Sequence, residues 1–417
     1  MENNKHAIGF TYFSQEKRLV QKQLDGWLPA LREVGAETIV YQADFSRAIP
    51  EDVFATTISH GLTPIIHFNT ELPLARTLNQ ITLLLDVYAK WGVKSVILGD
   101  KPNIKTAWKS AGWHYENLVD HFLDRFIPLA AYAVHIGLTP VLAPMEPGGD
   151  YWDTIFIESV LSGLMRRRLE EVVDHLQLAS YGYTYSKSLK WGSGGPECWA
   201  TSKPYQTPEG QEDQLGFNNF VWAQASARRA TDREFPVLIL DAGNQGTVYG
   251  QNVPDEIIPD LQRIASVCLD NSTSDDDISD MMDSVLACIF SLDTINRVFD
   301  ESLTPESLVY LFDSQRKNQA KNAKSTDIAK HITHYLLLPC HGSGVSDVIL
   351  NKIRPLIKHF KPTVGFSLEE AALARKVSVY PDPIIFTDEK LNQLRSVGCR
   401  VEVLPESGIE IATLLKD

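Results

Sequence analysis

Gly99-Asp100-Lys101-Pro102-Asn103 follows an apolar run, Val93 to Leu98, and sets a carboxylate and an amine side by side where a buried strand ends. Far downstream a second apolar strand, Pro236 to Leu240, ends in Asp241-Ala242-Gly243, with Asn244 and Gln245 just beyond it. Glu146 and Asp150 follow a third apolar run, Thr139 to Ala143. Carboxyl groups at strand ends can give or take a proton, attack as nucleophiles or activate water. A lysine amine among them can neutralise a carboxylate or condense with a carbonyl as a Schiff base.

These residues need a scaffold that brings several strand ends together. The first part of the chain alternates short apolar strands with helical patterns, which argues for a parallel sheet. Strands are expected at Ala7–Phe13, Thr38–Gln42, Pro64–Phe68, Val93–Leu98, Thr139–Ala143, Leu176–Ser180 and Val237–Leu240. An eighth is expected at Ser284–Leu292, a run that also suits a helix. Between them, Leu78, Ile81, Leu84, Leu85 and Tyr88 recur at helical spacing, as do Leu118, Phe122, Phe126, Leu129 and Ala133. Eight such units predict a (β/α)8 TIM barrel over residues 1–315, with functional groups on the loops at the carboxyl ends of the strands. A doubly wound open sheet is the alternative that periodicity leaves open. Residues 316–330 read as a linker, and 331–417 as a small Rossmann-like α/β domain. In that domain helices are expected at Val345–Phe360, Leu368–Lys376 and Asp388–Val397, with Pro383–Phe386 extended. Cys340-His341-Gly342-Ser343-Gly344, between strand and helix, suits either an ordinary tight turn or an anion held by backbone amides.

Composition narrows the function classes. The 417 residues are 44% hydrophobic and 22% charged, a globular balance. A net charge of −14 disfavours nucleic-acid backbone binding. No apolar run approaches the roughly 20 residues of a membrane span. The polar start leads straight into a strand with no secretory pattern, so a cytoplasmic location is expected. Five scattered cysteines give neither a disulfide framework nor zinc spacing, and the histidines show no metal spacing. No metal or other cofactor is expected.

The two strand ends resemble those of clan A glycoside hydrolases, (β/α)8 barrels whose fourth strand ends in Asn-Glu-Pro and whose seventh ends in a Thr-Glu-Phe-Gly-like turn. In that family the two glutamates are the acid/base and the nucleophile. This chain has Lys101 at the first position and Asp241 at the second. Pro144-Met145-Glu146-Pro147-Gly148-Gly149-Asp150-Tyr151-Trp152-Asp153 resembles the segment after the family's fifth strand. Ala179-Ser180-Tyr181-Gly182 is similar to the His-Pro-Tyr-Gly-like end of its sixth, which implies that Tyr181 reaches toward the nucleophile position. The resemblance implies a carbohydrate ligand at the barrel mouth and glycoside hydrolysis. Hydrolysis with retention needs two carboxyl groups about 5–5.5 Å apart, one of them protonated.

Each candidate has a catalytic and a structural reading. Asp241 is a nucleophile or base, or a charge closing the barrel top against Lys101. Asp100 replaces the missing acid, or caps the turn after Pro102. Glu146 is recruited as acid or base, or binds a hydroxyl. Lys101 marks a site that has lost its acid, or neutralises Asp241 or Asp44 across the mouth. Asn103, Asp44, His67, Tyr181 and Asn244 are expected to line the ligand site. The long loop after strand six, Gly182 to about Glu212, carries Trp191 and Trp199 around Gly192-Ser193-Gly194-Gly195-Pro196-Glu197. Flat aromatic faces there suit sugar rings, with Trp108 and Trp113 extending the platform, although single tryptophans also serve as loop anchors. Two further readings stay open: a saccharide-binding or scaffolding pseudoenzyme with a Lys101–Asp241 ion pair as a plug, and a lyase or aldolase using Lys101 as a Schiff-base amine. The small domain is an expected protein-interaction module.

Overall fold

The computed structural model describes residues 6–13, 21–69, 72, 78–109, 112–203, 205–246, 257–270, 284–299, 303–312, 332–339, 347–382, 385–396 and 398–405. The chain divides into two compact units, Met1–Asp313 and Ser314–Asp417. The expected linker, 316–330, lies outside the described residues.

The first unit is a closed barrel of eight strands in sequence order. They are β1 (Ala7–Thr11), β2 (Ala36–Ala43), β3 (Thr63–Phe68), β4 (Ser95–Leu98), β5 (Thr139–Met145), β6 (Gln177–Tyr181), β7 (Val237–Leu240) and β8 (Val285–Ser291). Every neighbouring pair is parallel, and β8 returns to β1 with Ala7 opposite Ala287 and Thr11 opposite Ser291. That last pairing removes the open-sheet alternative and makes the ambiguous eighth run a strand. Helices follow the strands: α1 (Gln21–Val34), α2 (Glu51–Ser59), α3 (Leu78–Lys90), α4 (Leu118–His135), α5 (Asp153–Arg166), α6 (Glu170–His175), α7 (Gly195–Cys198), α8 (Asn219–Thr231), α9 (Ile257–Asp270) and α10 (Leu292–Val298). The structure is thus a (β/α)8 barrel.

Period-two alternation divides each strand between two cores. Val40, Ile65, Ile97, Val141, Ala179, Leu238 and Ile289 fill the inside of the barrel. Their neighbours Ile39, Ile66, Val96, Leu142, Leu178, Val237 and Phe290 face outward and pack under the helices. Each fully buried Leu, Ile or Phe contributes about 1.5–3 kcal/mol, so both layers resist displacement. Gly9 is required by this packing, because a Cβ there would come within 2.6 Å of Ile289 Cδ1 and 2.7 Å of the Thr38 carbonyl oxygen.

The second unit is a parallel sheet of four strands: β9 (Ile332–Leu337), β10 (Thr363–Gly365), β11 (Ala374–Val379) and β12 (Arg400–Val403), in the order β10-β9-β11-β12. A helix over Leu368–Lys376 is expected from sequence, but the helix stops at Ala371 and Ala374–Val379 is a strand paired on both sides. Val377 and Val379 are buried with Tyr335 and Leu337, so sheet pairing overrides the local helical pattern. Ile385 and Phe386 are likewise not extended; both amides donate to the Asp382 carbonyl in a turn. The Cys340–Gly344 segment lies outside the described residues.

Candidate functional site

Strand ends β4, β6 and β7 leave the barrel through strained backbone. Lys101 (φ 45°), Tyr185 (φ 51°), Ser186 (φ 56°) and Asp241 (φ 47°) all adopt left-handed conformations, which cost a non-glycine residue on the order of 1–2 kcal/mol each. Strain of this kind gathers at functional positions, where surrounding contacts over-determine it. It also explains the side-chain directions. Leu240 faces the barrel interior, so strict alternation would send Asp241 outward. The left-handed turn instead leaves Asp241 within the electrostatic reach of Lys101, Asp100 and Arg297. Gly99, at φ 109°, makes the same break before Asp100.

Around this mouth the charged groups interlock. Lys101 Nζ lies 2.6 Å from Glu146 Oε2 and donates to the Tyr183 hydroxyl at 3.1 Å. The same ammonium sits 4.6 Å from the Tyr181 ring centroid and 5.4 Å from that of Tyr183. Those two rings stack with centroids 4.8 Å apart. Tyr181 donates its hydroxyl proton to Asp100 Oδ1 at 2.5 Å. Burial first, and then the Asp100 charge, push the Tyr181 phenol well above its ordinary range, so it stays a donor. The ion pair of Lys101 is therefore made with Glu146, not with Asp241 as the plug reading expects. Glu146 is engaged as the counter-ion of Lys101, which weakens its case as the acid.

Asp241 differs from its neighbours. Its side chain keeps some solvent contact, and no hydrogen bond reaches its carboxyl from the described residues. Burial pushes its pKa up to about 6; the Lys101 charge works against that, and the Asp100 charge adds to it. Asp153, at the start of α5, is also raised to about 6 by burial, but it is nearly inaccessible and accepts from Asn219 Nδ2 at 3.1 Å. Ser180 in turn donates to Asn219 Oδ1 at 2.6 Å, so this network ties α5 and α8 to β6.

The structure gives several expected ligand-binding residues other tasks. Asn103 is fully buried and clamps β4 to β5: its Nδ2 donates to the Glu146 and Tyr151 carbonyls at 2.8 and 3.0 Å, and its Oδ1 accepts from Glu146 N at 2.8 Å. A side chain fixed at both ends has no group left for a ligand. Asp44 is exposed and turns back onto Ser46, accepting from its amide and its hydroxyl. Partial burial there opposes ionisation, but those bonds and the Arg47 charge outweigh it and hold the carboxyl below its usual range. Trp191 donates its indole N–H to Asp213 Oδ1 at 2.8 Å and lies under Lys187 Nζ at 4.0 Å. Trp199 donates to the Ser193 carbonyl at 2.8 Å. Both tryptophans anchor the loop after β6. Trp108, buried at 5% exposure, donates to the Pro102 carbonyl at 2.7 Å and is likewise an anchor. Asn244 Nδ2 reaches Thr294 Oγ1 at 3.2 Å, closing the β7 exit onto α10. His67 lies beside the mouth, where Nε2–H donates to the Gly99 carbonyl at 3.0 Å. Burial lowers its pKa, more than the nearby Asp100 raises it, so its 3.9 Å contact with Asp100 is that of a neutral ring.

Tyr183, Tyr185 and Arg297 also belong to the mouth, although no sequence motif marks them. The tyrosines do share a period: Tyr181-Gly182-Tyr183-Thr184-Tyr185 alternates with period two, which puts three tyrosines on one face. Tyr183 packs edge-on to Tyr185 at 5.9 Å. Among the described residues no group of three or more His, Cys, Asp or Glu could hold a metal ion, and no helix is long and apolar enough to cross a membrane.

No family model matches this chain, and no curated protein does. Solved structures with a similar barrel include the endo-β-1,4-mannanase from Thermotoga petrophila, at 9% identity over 70% of this chain and 68% of that one, with a TM-score of 0.41. A GH5 family lichenase from Caldicellulosiruptor sp. F32 aligns at 8% identity over 73% and 92% of the two chains, with a TM-score of 0.37. A Bacteroidetes-affiliated GH5 cellulase linked with a polysaccharide utilization locus aligns at 10% identity over 69% and 82%, with a TM-score of 0.36. At such identities and scores these matches say what the chain is similar to and carry nothing about its activity. The closed order of eight parallel strands itself makes the first unit a (β/α)8 barrel.

Proposed function

We propose that the barrel mouth binds a carbohydrate and hydrolyses a glycosidic bond, with Asp241 as the proton-holding carboxyl and Asp100 as its partner. The observation that carries this reading is Asp241: a carboxyl in strained backbone at a strand end, reached by solvent and without a hydrogen bond among the described residues. Its pKa of about 6 lets it keep a proton in mildly acidic solution, as a general acid must. Sequence alone favours Asp241 as nucleophile or base; its environment supports the acid role better. Asp100, oriented by the Tyr181 hydroxyl, is the carboxylate available to attack or to activate water. In the proposed step Asp241 gives its proton to the leaving glycosidic oxygen. Asp100 either bonds to the anomeric carbon or draws a proton from the water that does. Lys101 holds Glu146 and the tyrosine pair in register and takes no part in proton transfer.

The test is an assay of the full chain against aryl glycosides and soluble β-glucans and β-mannans between pH 4 and 8. Asp241→Asn is expected to lower turnover by roughly 10²- to 10⁴-fold, and the wild-type rate to fall as pH rises through about 6. Turnover untouched by Asp241→Asn, or no turnover of any glycoside across that range, would overturn the reading.

A further inference from the structure

We infer a second saccharide-binding site outside the barrel mouth, in the cleft between α5 and α8 under the loop that follows β6; its ligand class rests on the carbohydrate reading above. The cleft encloses about 330 Å³. That lies at the small end of the ~300–1,000 Å³ typical of small-molecule sites, enough for a short oligosaccharide. Its wall includes the apolar Trp152, Ile155 and Pro196 and the polar Lys203, Gln214 and Arg229.

Tyr205 is not itself in the cleft wall but packs on Trp152, which is, and this contact distinguishes the cleft from an ordinary gap between helices. Lys203 and Gln206 exchange both backbone hydrogen bonds, at 2.9 and 3.0 Å, and close a tight turn with Tyr205 in it. Tyr205 takes φ 62° there and is 71% exposed. A bulky aromatic residue rarely adopts left-handed backbone, and glycine would serve a plain turn better. Its ring instead leans edge-on against Trp152, with centroids 4.5 Å apart and planes at 63°. Two rings at such an angle form an open corner, and Ile155 beside them is 41% exposed.

Aromatic faces offer dispersion contact to the C–H face of a pyranose, while charged and amide groups read its hydroxyls. Arg229 is fixed for that task by Glu158, at 2.9 Å, and by the Ser226 hydroxyl, at 3.0 Å. The Arg229–Glu158 pair supplies both donors and acceptors, which suits a neutral sugar better than an anion. The indole N–H of Trp222, by contrast, is engaged by the Gly192 carbonyl and belongs to the frame.

The experiment is calorimetric titration of the full chain with cellohexaose, mannohexaose and chitohexaose, repeated with Tyr205→Ala, Tyr205→Phe, Trp152→Ala and Asp241→Asn. At least one sugar is expected to bind the wild type. Its affinity should fall tenfold or more in Tyr205→Ala and Trp152→Ala, and persist in Tyr205→Phe and in Asp241→Asn. Circular dichroism melts of Tyr205→Ala, an exposed position, guard against misfolding. If no sugar binds, or if the isotherms show no site that either aromatic deletion weakens, the cleft is not a saccharide site. Binding that depends on Tyr205 in a protein without glycosidase turnover would sink the mouth reading and keep this one. Turnover lost in Asp241→Asn, with sugar affinity indifferent to Tyr205 and Trp152, would do the reverse.

Discussion

Two lysines in this barrel meet a carboxylate and an aromatic ring, with opposite consequences. Lys187, in the loop after β6, lies 3.2 Å from Asp213 Oδ1 and 4.0 Å from the Trp191 ring centroid. Lys101, at the mouth, lies 2.6 Å from Glu146 Oε2 and 4.6 Å from the Tyr181 centroid. The loop cluster is saturated. Asp213 also accepts from Trp191 Nε1, from Thr207 Oγ1 at 2.6 Å and from Leu215 N at 3.1 Å, while Lys187 donates to the Leu215 carbonyl at 2.7 Å. Burial works against its ionisation, yet these donors and the Lys187 charge hold the Asp213 carboxyl below its ordinary range. The mouth cluster is unsaturated. It leaves Asp241 beside it with no hydrogen bond among the described residues and a pKa raised to about 6. Similar residue types thus build a knot in one place and a reactive edge in the other. The number of donors aimed at the carboxylate decides which.

Removing the reactive edge carries the largest expected effect. Asp241→Asn keeps the volume and deletes the proton, so turnover of any glycoside substrate should fall by roughly 10²- to 10⁴-fold, the usual worth of a positioned acid. Initial-rate assays of kcat and KM separately would read it; a loss confined to KM would make Asp241 a binder rather than an acid.

The knot should answer in stability instead. Asp213→Ala strips four interactions from one carboxylate and leaves Lys187 half-buried, with an expected cost of about 2–4 kcal/mol in urea unfolding. Glu146→Gln, at the mouth, should cost about 1 kcal/mol, because Lys101 keeps the Tyr183 hydroxyl and the two ring faces. Equal losses would erase the contrast between the two clusters.

The third expectation concerns pH. With Asp241 at about 6 when folded and near 3.8 when unfolded, the folded chain binds more protons between those values, so stability falls as pH rises from about 4 to 6. Below that window the contribution is fully present; above it the folded state carries a cost of about 2 kcal/mol, discounted for partial solvent contact. Asp241→Asn has no such group. It should therefore gain on the wild type across this window and stay about 2 kcal/mol ahead at pH 7–8, measured by denaturant unfolding at each pH. A constant difference from pH 4 to 8 would mean that Asp241 titrates normally.

Much of the barrel was legible because strand and helix periods differ and each strand buries both faces. Residues Val237–Leu240 show why: every one is buried, two toward the inside and two toward the helices. The convergence of Asp100, Lys101, Glu146, Tyr181 and Asp241 also followed from their places at strand ends. The partners did not. Nothing in a sequence says that Lys101 takes Glu146 rather than Asp241, because that depends on left-handed turns at positions 101 and 241 which no glycine marks. Asn103 reads from sequence as a ligand-site residue, yet the close approach of β5 turns it into a clamp; Gly149 is small so that Asn103 Nδ2 can pass, 2.5 Å from where a Cβ would stand. Trp191 and Trp199 read from sequence as a sugar platform; in the structure their indole N–H groups bond to Asp213 and to the Ser193 carbonyl of their own loop, partners that no local pattern announces. In the second unit the sequence reads as helical up to Lys376, whereas Ala374–Val379 is a strand because its pairing with β9 and β12, a tertiary interaction, overrides the local pattern.

The smallest expected effect is the most discriminating. Tyr183→Phe removes only the hydroxyl that accepts from Lys101 and keeps the ring stacked on Tyr181. If the mouth is unsaturated, the ammonium simply leans further on Glu146, and unfolding should shift by no more than about 1 kcal/mol, the net worth of one hydrogen bond. Turnover should change only a few-fold, since Tyr183 is bonded to Lys101 and, although the Asp241 charge reaches its phenol, makes no hydrogen bond to that carboxyl among the described residues. Should Tyr183→Phe instead cost as much stability as Asp213→Ala, the Lys101 cluster would be a second knot, built to hold the barrel closed. Asp241 would then sit at the edge of a structural plug after all. Pairing the two melts in one buffer, with Asp241→Asn as the third arm, therefore tests whether the unsaturated edge is a property of the site or only of one carboxyl within it.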